Sequence, residues 1–211
     1  MIDWVLDALR TIDEMHAIYV VTNAKFAPRL EVWAPADVTV VNDGTDSDEN
    51  RLGAIGDIGF VLEREGIDDD VVVIAGDNLF TSSLEGFAKL ARDRQAPILA
   101  VHDVGDPTLV PNYNTVEIDG DGRITYFEEK PQEARSTLAG IAIYFYPRQV
   151  LPMIRRYLRE GHNPDQPGRL VEWLYRRTPV YVWELPGSWY DIGALDQLEV
   201  ARADFAAGSA R

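Results

Sequence analysis

Apolar positions along this chain follow two different periods, and the changeovers between them mark its elements. Runs of β-branched residues at 18–23, 38–43, 71–78 and 97–104 predict strands. Between them, apolar residues return every three to four positions at 2–15, 26–33, 50–65 and 83–94, which predicts amphipathic helices. Strand and helix in alternation mean βαβ units and a mostly parallel sheet with helices on its faces. The run over 71–78 is apolar without interruption, so it predicts a strand covered on both sides. Farther along, the grammar changes. Strands predicted at 114–119 and 124–129 flank Gly120-Asp121-Gly122-Arg123, a hairpin signal. Further strands are predicted at 138–146 and 180–185, and helices at 148–159, 170–177 and 194–206.

Composition narrows the class. The 211 residues are 46% hydrophobic and 10% aromatic, with no linker, repeat or low-complexity tract, which predicts one domain over 1–211. No apolar run reaches membrane-spanning length, and Met1-Ile2-Asp3-Trp4 lacks the basic start of a signal peptide. With no cysteine there are no disulfides and no thiolate metal site, and the expected location is the cytoplasm. A formal net charge of -15 argues against nucleic acid or an anionic membrane as partner, since both demand a basic face. Phosphates remain bindable where positive charge is concentrated at one place, most economically on a divalent metal held by carboxylates; lysine is scarce, with only Lys25, Lys89 and Lys130. Asp68-Asp69-Asp70 is expected to be a solvated turn. Asp46-Ser47-Asp48-Glu49 is expected to be the acidic start of the next helix.

Three stretches carry candidate chemistry. The 71–78 run ends in Gly76-Asp77-Asn78, and ligands of α/β sheets bind beyond the carboxyl ends of strands. Gly76 permits close approach to the backbone, and Asp77 offers oxygens to a hard cation such as Mg²⁺, although turn chemistry alone also accounts for all three residues. Phe127-Glu128-Glu129-Lys130-Pro131 closes a strand with a carboxylate suited to sugar hydroxyls, Glu129, and a cation suited to phosphate, Lys130. Gly187-Ser188-Trp189-Tyr190-Asp191-Ile192-Gly193 again flanks an acid with glycine. Taken singly, Asp191 reads better as a helix N-cap, and Glu129–Lys130 better as a surface pair, than as functional groups.

Together and in this order, the three motifs resemble those of the sugar-phosphate nucleotidyltransferases, in particular glucose-1-phosphate thymidylyltransferases and related NDP-sugar pyrophosphorylases. Asn42-Asp43-Gly44-Thr45, Arg51-Leu52-Gly53-Ala54-Ile55-Gly56-Asp57 and Asn163-Pro164-Asp165-Gln166-Pro167-Gly168 extend the resemblance over essentially the whole chain. It implies an α/β, Rossmann-like three-layer domain with a mixed, mainly parallel central sheet. It also implies transfer of a nucleotidyl group from a nucleoside triphosphate to a sugar 1-phosphate, with release of pyrophosphate, and leaves homo-oligomerisation open. Asp77 and Asp191 are then the Mg²⁺ ligands, and Lys130 contacts the sugar phosphate. Glu129, Tyr113 and Asn114 lie at the sugar, while Gly76, Asn78, Ile141 and Ala142 line the substrate.

The departures from the family pattern are also specific. The G-G-x-G-x-R strand and loop, with its following P-K pair, has no counterpart in these residues, so the triphosphate cradle is expected to be missing and neighbouring strand edges exposed. Gly53, Gly56 and Gly59 are expected to serve close packing instead. Ile55 stands where thymidylyltransferases present a glutamine to the base, and Ile141-Ala142 where Thr-Gly is usual. No hexapeptide-repeat domain is expected to follow. An inactive or truncated nucleotide-sugar-binding remnant is the alternative function. A metal-dependent glycosyltransferase is a weaker one, because Leu79 occupies the second acid position of a D-x-D.

Overall fold

The computed structural model describes residues 1–192, 199 and 201–202. Its first half alternates as the periods require: α1 (Ile2–Leu9), β1 (Ile18–Thr22), α2 (Ala27–Trp33), β2 (Val38–Asn42), α3 (Ala54–Arg64), β3 (Val71–Ile74), β4 (Asn78–Phe80), α4 (Glu85–Arg94) and β5 (Ile98–Asp103). The second half holds the hairpin β6 (Asn114–Ile118) and β7 (Ile124–Glu129), then β8 (Leu138–Tyr146), α5 (Leu151–Arg159), α6 (Pro167–Leu174), β9 (Tyr181–Glu184) and β10 (Trp189–Asp191).

The central sheet has the order β3-β8-β5-β9. β8 runs antiparallel to β3 and β5, and β9 runs parallel to β5, so all strands but β8 share one direction. Side chains on a strand point alternately to opposite faces, and that period divides the core in two. Ile141, Ile143 and Phe145 of β8, with Ile98 and Ala100 of β5, pack under Phe87, Ala88 and Ala91 of α4. Tyr144, Tyr146, Leu99 and Val101 face the other way, onto Ile55 and Leu62 of α3, Ile154 and Tyr157 of α5, and Leu170 and Leu174 of α6. The result is three layers, in which each fully buried aliphatic or aromatic side chain contributes about 1.5–3 kcal/mol.

β1 and β2 form a separate parallel pair, joined to the rest partly through Leu9 and Met15, which pack against both the α4-side core and the cluster of Leu6, Ile18 and Val38. Among the described residues β1 pairs only with β2, and β3 only with β8. Each therefore keeps one edge without a ladder partner. Helices cover both faces of β3, as its uninterrupted apolar run predicts, and with one edge open all four residues are half-buried.

Other differences lie at element ends. The 71–78 strand breaks because the Asn78 N–H turns back to the Ala75 carbonyl at 3.2 Å, and β4 starts afresh. The 50–65 helix begins only at Ala54, because Gly53 has φ +80°, and the acidic 46–49 segment is a loop closed by the Asn50 side chain, which accepts from the Asp46 and Ser47 N–H groups. The helix expected over 2–15 stops at Leu9, where the Thr11 hydroxyl bonds to the Ala8 carbonyl. α6 starts three residues early, at Pro167, whose fixed φ suits a first helical position. The helix expected over 194–206 lies outside the described residues except at 199, 201 and 202. Among the described residues, no helix is long and apolar enough to cross a membrane.

Candidate active site

Two carboxylates from opposite halves of the chain meet where β4 pairs with β10. The antiparallel register sets Asp191 against Asn78, Tyr190 against Leu79 and Trp189 against Phe80, and the Ile192 N–H closes the ladder on the Asp77 carbonyl at 3.0 Å. Asn78 is buried, and its amide is used at both ends. Trp189 Nε1 donates to Asn78 Oδ1 at 2.7 Å, while Asn78 Nδ2 donates to Asp77 Oδ1 at 2.9 Å. Partial burial raises the Asp191 pKa, and the nearby Asp77 charge raises it further. Among the described residues no three His, Cys, Asp or Glu side chains gather as a metal site, so a cation on these two acids would have to complete its shell from a substrate. Leu79, paired with Tyr190 one step along the ladder, is 4% exposed and packs on Ala201, so the second acid of a D-x-D is replaced by core.

The adjoining cleft encloses about 340 Å³ and runs between Tyr113, Trp189 and Asp191, with His102 and Leu109 at its mouth. The Tyr113 and Trp189 rings meet edge to face with centroids 5.3 Å apart, and the phenol pKa is raised by burial and by Asp191. Tyr113 also ties the Phe127–Pro131 motif to this cleft, because the Lys130 N–H donates to its carbonyl at 2.8 Å. Lys130 takes a left-handed φ of +51°, is exposed and has no ion pair among the described residues. The surface pair Glu129–Lys130 is therefore absent.

Glu129 points inward instead. Its Oε2 is buried without a hydrogen-bond partner, and burial pushes its pKa up to about 7, against the opposing pull of Arg169 and Lys130. Asn114, opposite Glu129 in the hairpin, is 8% exposed and clamps β6 to β8: its Nδ2 donates to the Gly140 carbonyl at 3.0 Å, and the Gly140 N–H donates to its Oδ1 at 2.6 Å. Ile141 is 1% exposed with its side chain in the α4-side core, so only its backbone faces any ligand. Ala142 is half-buried, and its carbonyl accepts from the Ala75 N–H at 3.0 Å. Gly76 is exposed at the turn.

Gly53, Gly56 and Gly59 pack closely, as expected. A Cβ at Gly53 would sit 2.7 Å from Asp165 Cα, one at Gly56 would sit 3.0 Å from Leu52 Cβ, and one at Gly59 would strike Leu158 Cδ1. Ile55 is fully buried. Sequence reasoning missed three features. One is the orienting role of Asn78 toward Asp77. Another is the buried Asp57 Oδ1 without a partner, its pKa lifted to about 6 by burial and then by Asp43. The third is the approach of Gly168 to Glu129. Gly168 belonged to a motif already noted, but only the fold shows what it touches.

The comparisons with known proteins agree with this architecture. A glucose-1-phosphate thymidylyltransferase of Streptomyces antibioticus is 29% identical over 140 residues, covering 64% of this chain and 38% of that protein. A UTP–glucose-1-phosphate uridylyltransferase of Synechocystis sp. is 32% identical over 146 residues, covering 67% of this chain and 37% of that protein. The chain spans about a third of the length of the curated relatives it matches. The solved structure of a UDP-glucose pyrophosphorylase complexed with UDP-glucose superposes with a TM-score of 0.79 at 17% identity, covering 97% of this chain and 86% of the other, which shows a shared fold. Residues 1–208 match the family model described as nucleotidyl transferase, and with that match running over nearly its whole length the chain belongs to the nucleotidyl transferase family.

Proposed function

We propose that residues 1–211 act as one domain transferring a nucleotidyl group from a nucleoside triphosphate to a sugar 1-phosphate. In that reaction a sugar-phosphate oxygen forms a bond to the α-phosphorus, the α–β bridging bond breaks, and pyrophosphate leaves. The observation that carries this reading is the seating of Asp191 beside Asp77 by the β4–β10 ladder, at the edge of a cleft that also holds Tyr113. In-line displacement at phosphorus needs positioning and charge neutralisation more than covalent participation. Lys130 supplies a free cation for the sugar phosphate, and the orphaned Glu129 Oε2 supplies an acceptor for sugar hydroxyls.

Asp77 and Asp191 would hold Mg²⁺: burial, and after it the Asp77 charge, raises the Asp191 pKa, and a bound cation would offset both. When bound, the ion supplies charge neutralisation on the transferring phosphate. Asn78 keeps the Asp77 carboxylate aimed, and Trp189 is fixed by the same amide. The absence of cysteine fits a cytoplasmic setting. The test is pyrophosphate release by the natural full-length protein across panels of nucleoside triphosphates and sugar 1-phosphates, with and without Mg²⁺. Mg²⁺-dependent release with one pair is expected, whereas a folded protein silent across the panel overturns the proposal.

A further inference from the structure

We propose that Gly168 is a positioning residue for sugar binding: by lacking a side chain it keeps open the space in which the Glu129 carboxylate sits against the first turn of α6. The proposal rests on the reading of Glu129 as acceptor for sugar hydroxyls.

A Cβ built on Gly168 would overlap Glu129 Oε2, lie 2.6 Å from Glu129 Cδ and come within 3.3 Å of Phe127 Cζ. Something must then give by roughly 1.6 Å or more to restore ordinary contact with Oε2. The backbone of α6 is held from behind. The Ile55 and Gly56 N–H groups donate to the Pro164 carbonyl at 2.7 and 3.3 Å, Arg51 pairs with Asp165 at 2.8 Å, and the Tyr157 hydroxyl donates to the Asn163 carbonyl at 2.7 Å. Gly53 leaves no slack, since its own Cβ position is 2.7 Å from the Pro164 carbonyl oxygen. Leu170 and Leu174 anchor the helix in the core. Glu129, by contrast, is a flexible side chain whose Oε2 makes no hydrogen bond, so that oxygen is held only by the pull of neighbours such as Arg169 and Lys130. A methyl group at 168 therefore evicts the carboxylate rather than unfolding the helix. A misplacement of about 1 Å at a binding group costs about 100-fold.

The experiment uses the natural full-length enzyme with Gly168→Ala, Glu129→Gln, Glu129→Asp and the double variant Gly168→Ala/Glu129→Asp. Gly168→Ala should lower kcat/KM for the sugar 1-phosphate by about 100-fold, mainly through KM, while KM for the nucleotide and the melting temperature stay near those of the parent. Aspartate is one methylene shorter and vacates the space the new methyl group takes, so the double variant should regain at least about tenfold over Gly168→Ala. A glycine needed only for packing would lower stability and affect both substrates alike, without rescue. Unchanged sugar kinetics in Gly168→Ala, or an unfolded Gly168→Ala that Glu129→Asp does not restore, overturns the proposal. If Glu129→Gln also leaves sugar kinetics unchanged, the reading of Glu129 fails with it. If Glu129→Gln is crippled while Gly168→Ala is normal, only the role of Gly168 fails.

Discussion

Glu129→Gln is expected to make the protein more stable while it weakens sugar binding. Burial is the main cause of the high pKa of Glu129, and Arg169, Lys130 and Asn114 only partly offset it. A rise from the ordinary 4.5 to about 7 means that folding at pH 7 works against the ionised carboxylate by about 3 kcal/mol. Glutamine keeps the shape and removes the charge, so a gain of about 2–3 kcal/mol is expected, or roughly 5–10 °C in Tm for a domain of this size. The sign follows from the raised native value. Below about pH 4.5 both forms of the chain carry a proton and the two proteins should melt alike. Between 4.5 and 7 the unfolded parent loses its proton first, so the parent falls progressively behind the variant, and above about 7 the gap levels off. Thermal melts at pH 4, 5.5, 7 and 8.5 read this directly. A gap that does not depend on pH, or a variant less stable than the parent at pH 8.5, refutes the reasoning.

Asp191→Asn should raise the melting temperature slightly in the absence of divalent ions, by about 1 kcal/mol or less given its partial exposure, and should lose the stabilisation that Mg²⁺ confers on the parent. Melts with and without Mg²⁺ check this, and an equal Mg²⁺ response in both proteins would falsify the ligand assignment. Lys130→Met should leave stability within about 0.5 kcal/mol, because the lysine is exposed and unpaired among the described residues, yet cut turnover with the sugar 1-phosphate by 100-fold or more. Normal turnover sinks that role. Expressed as these 211 residues alone, the polypeptide should self-associate at micromolar concentration through the open edges of β1 and β3, and sedimentation showing a monodisperse monomer contradicts this.

What could be read from the chain depended on how local its cause was. The β7 and β8 boundaries emerge as expected because hydrophobic period and turn glycines determine them within a few residues. The meeting of Asp77 and Asp191 was implied by resemblance alone. Three-residue strands such as β4 and β10 are too short to show a period, and only their pairing defines them. Gly53 looked like a helical position until its φ and its contact with Asp165 showed it to be the boundary. Ile141 and Ala142 differ in exposure through strand parity, which depends on which face α4 covers. The half-burial of β3 depends on a neighbouring edge, about which its own residues carry no information.

The start of α3 has no side-chain cap, and its first amides are satisfied by a carbonyl about half the chain away, at Pro164. This makes the beginning of that helix a tertiary event. The turn at Gly53–Ile55 cannot close until α5 and the approach to α6 are in place, so it belongs late in folding, after the loop-closure entropy of a long intervening segment has been overcome. It also means that local melting at 163–166 would release both helix starts together. The starts of α3 and α6 then open and close as a single cooperative unit rather than as independent loops.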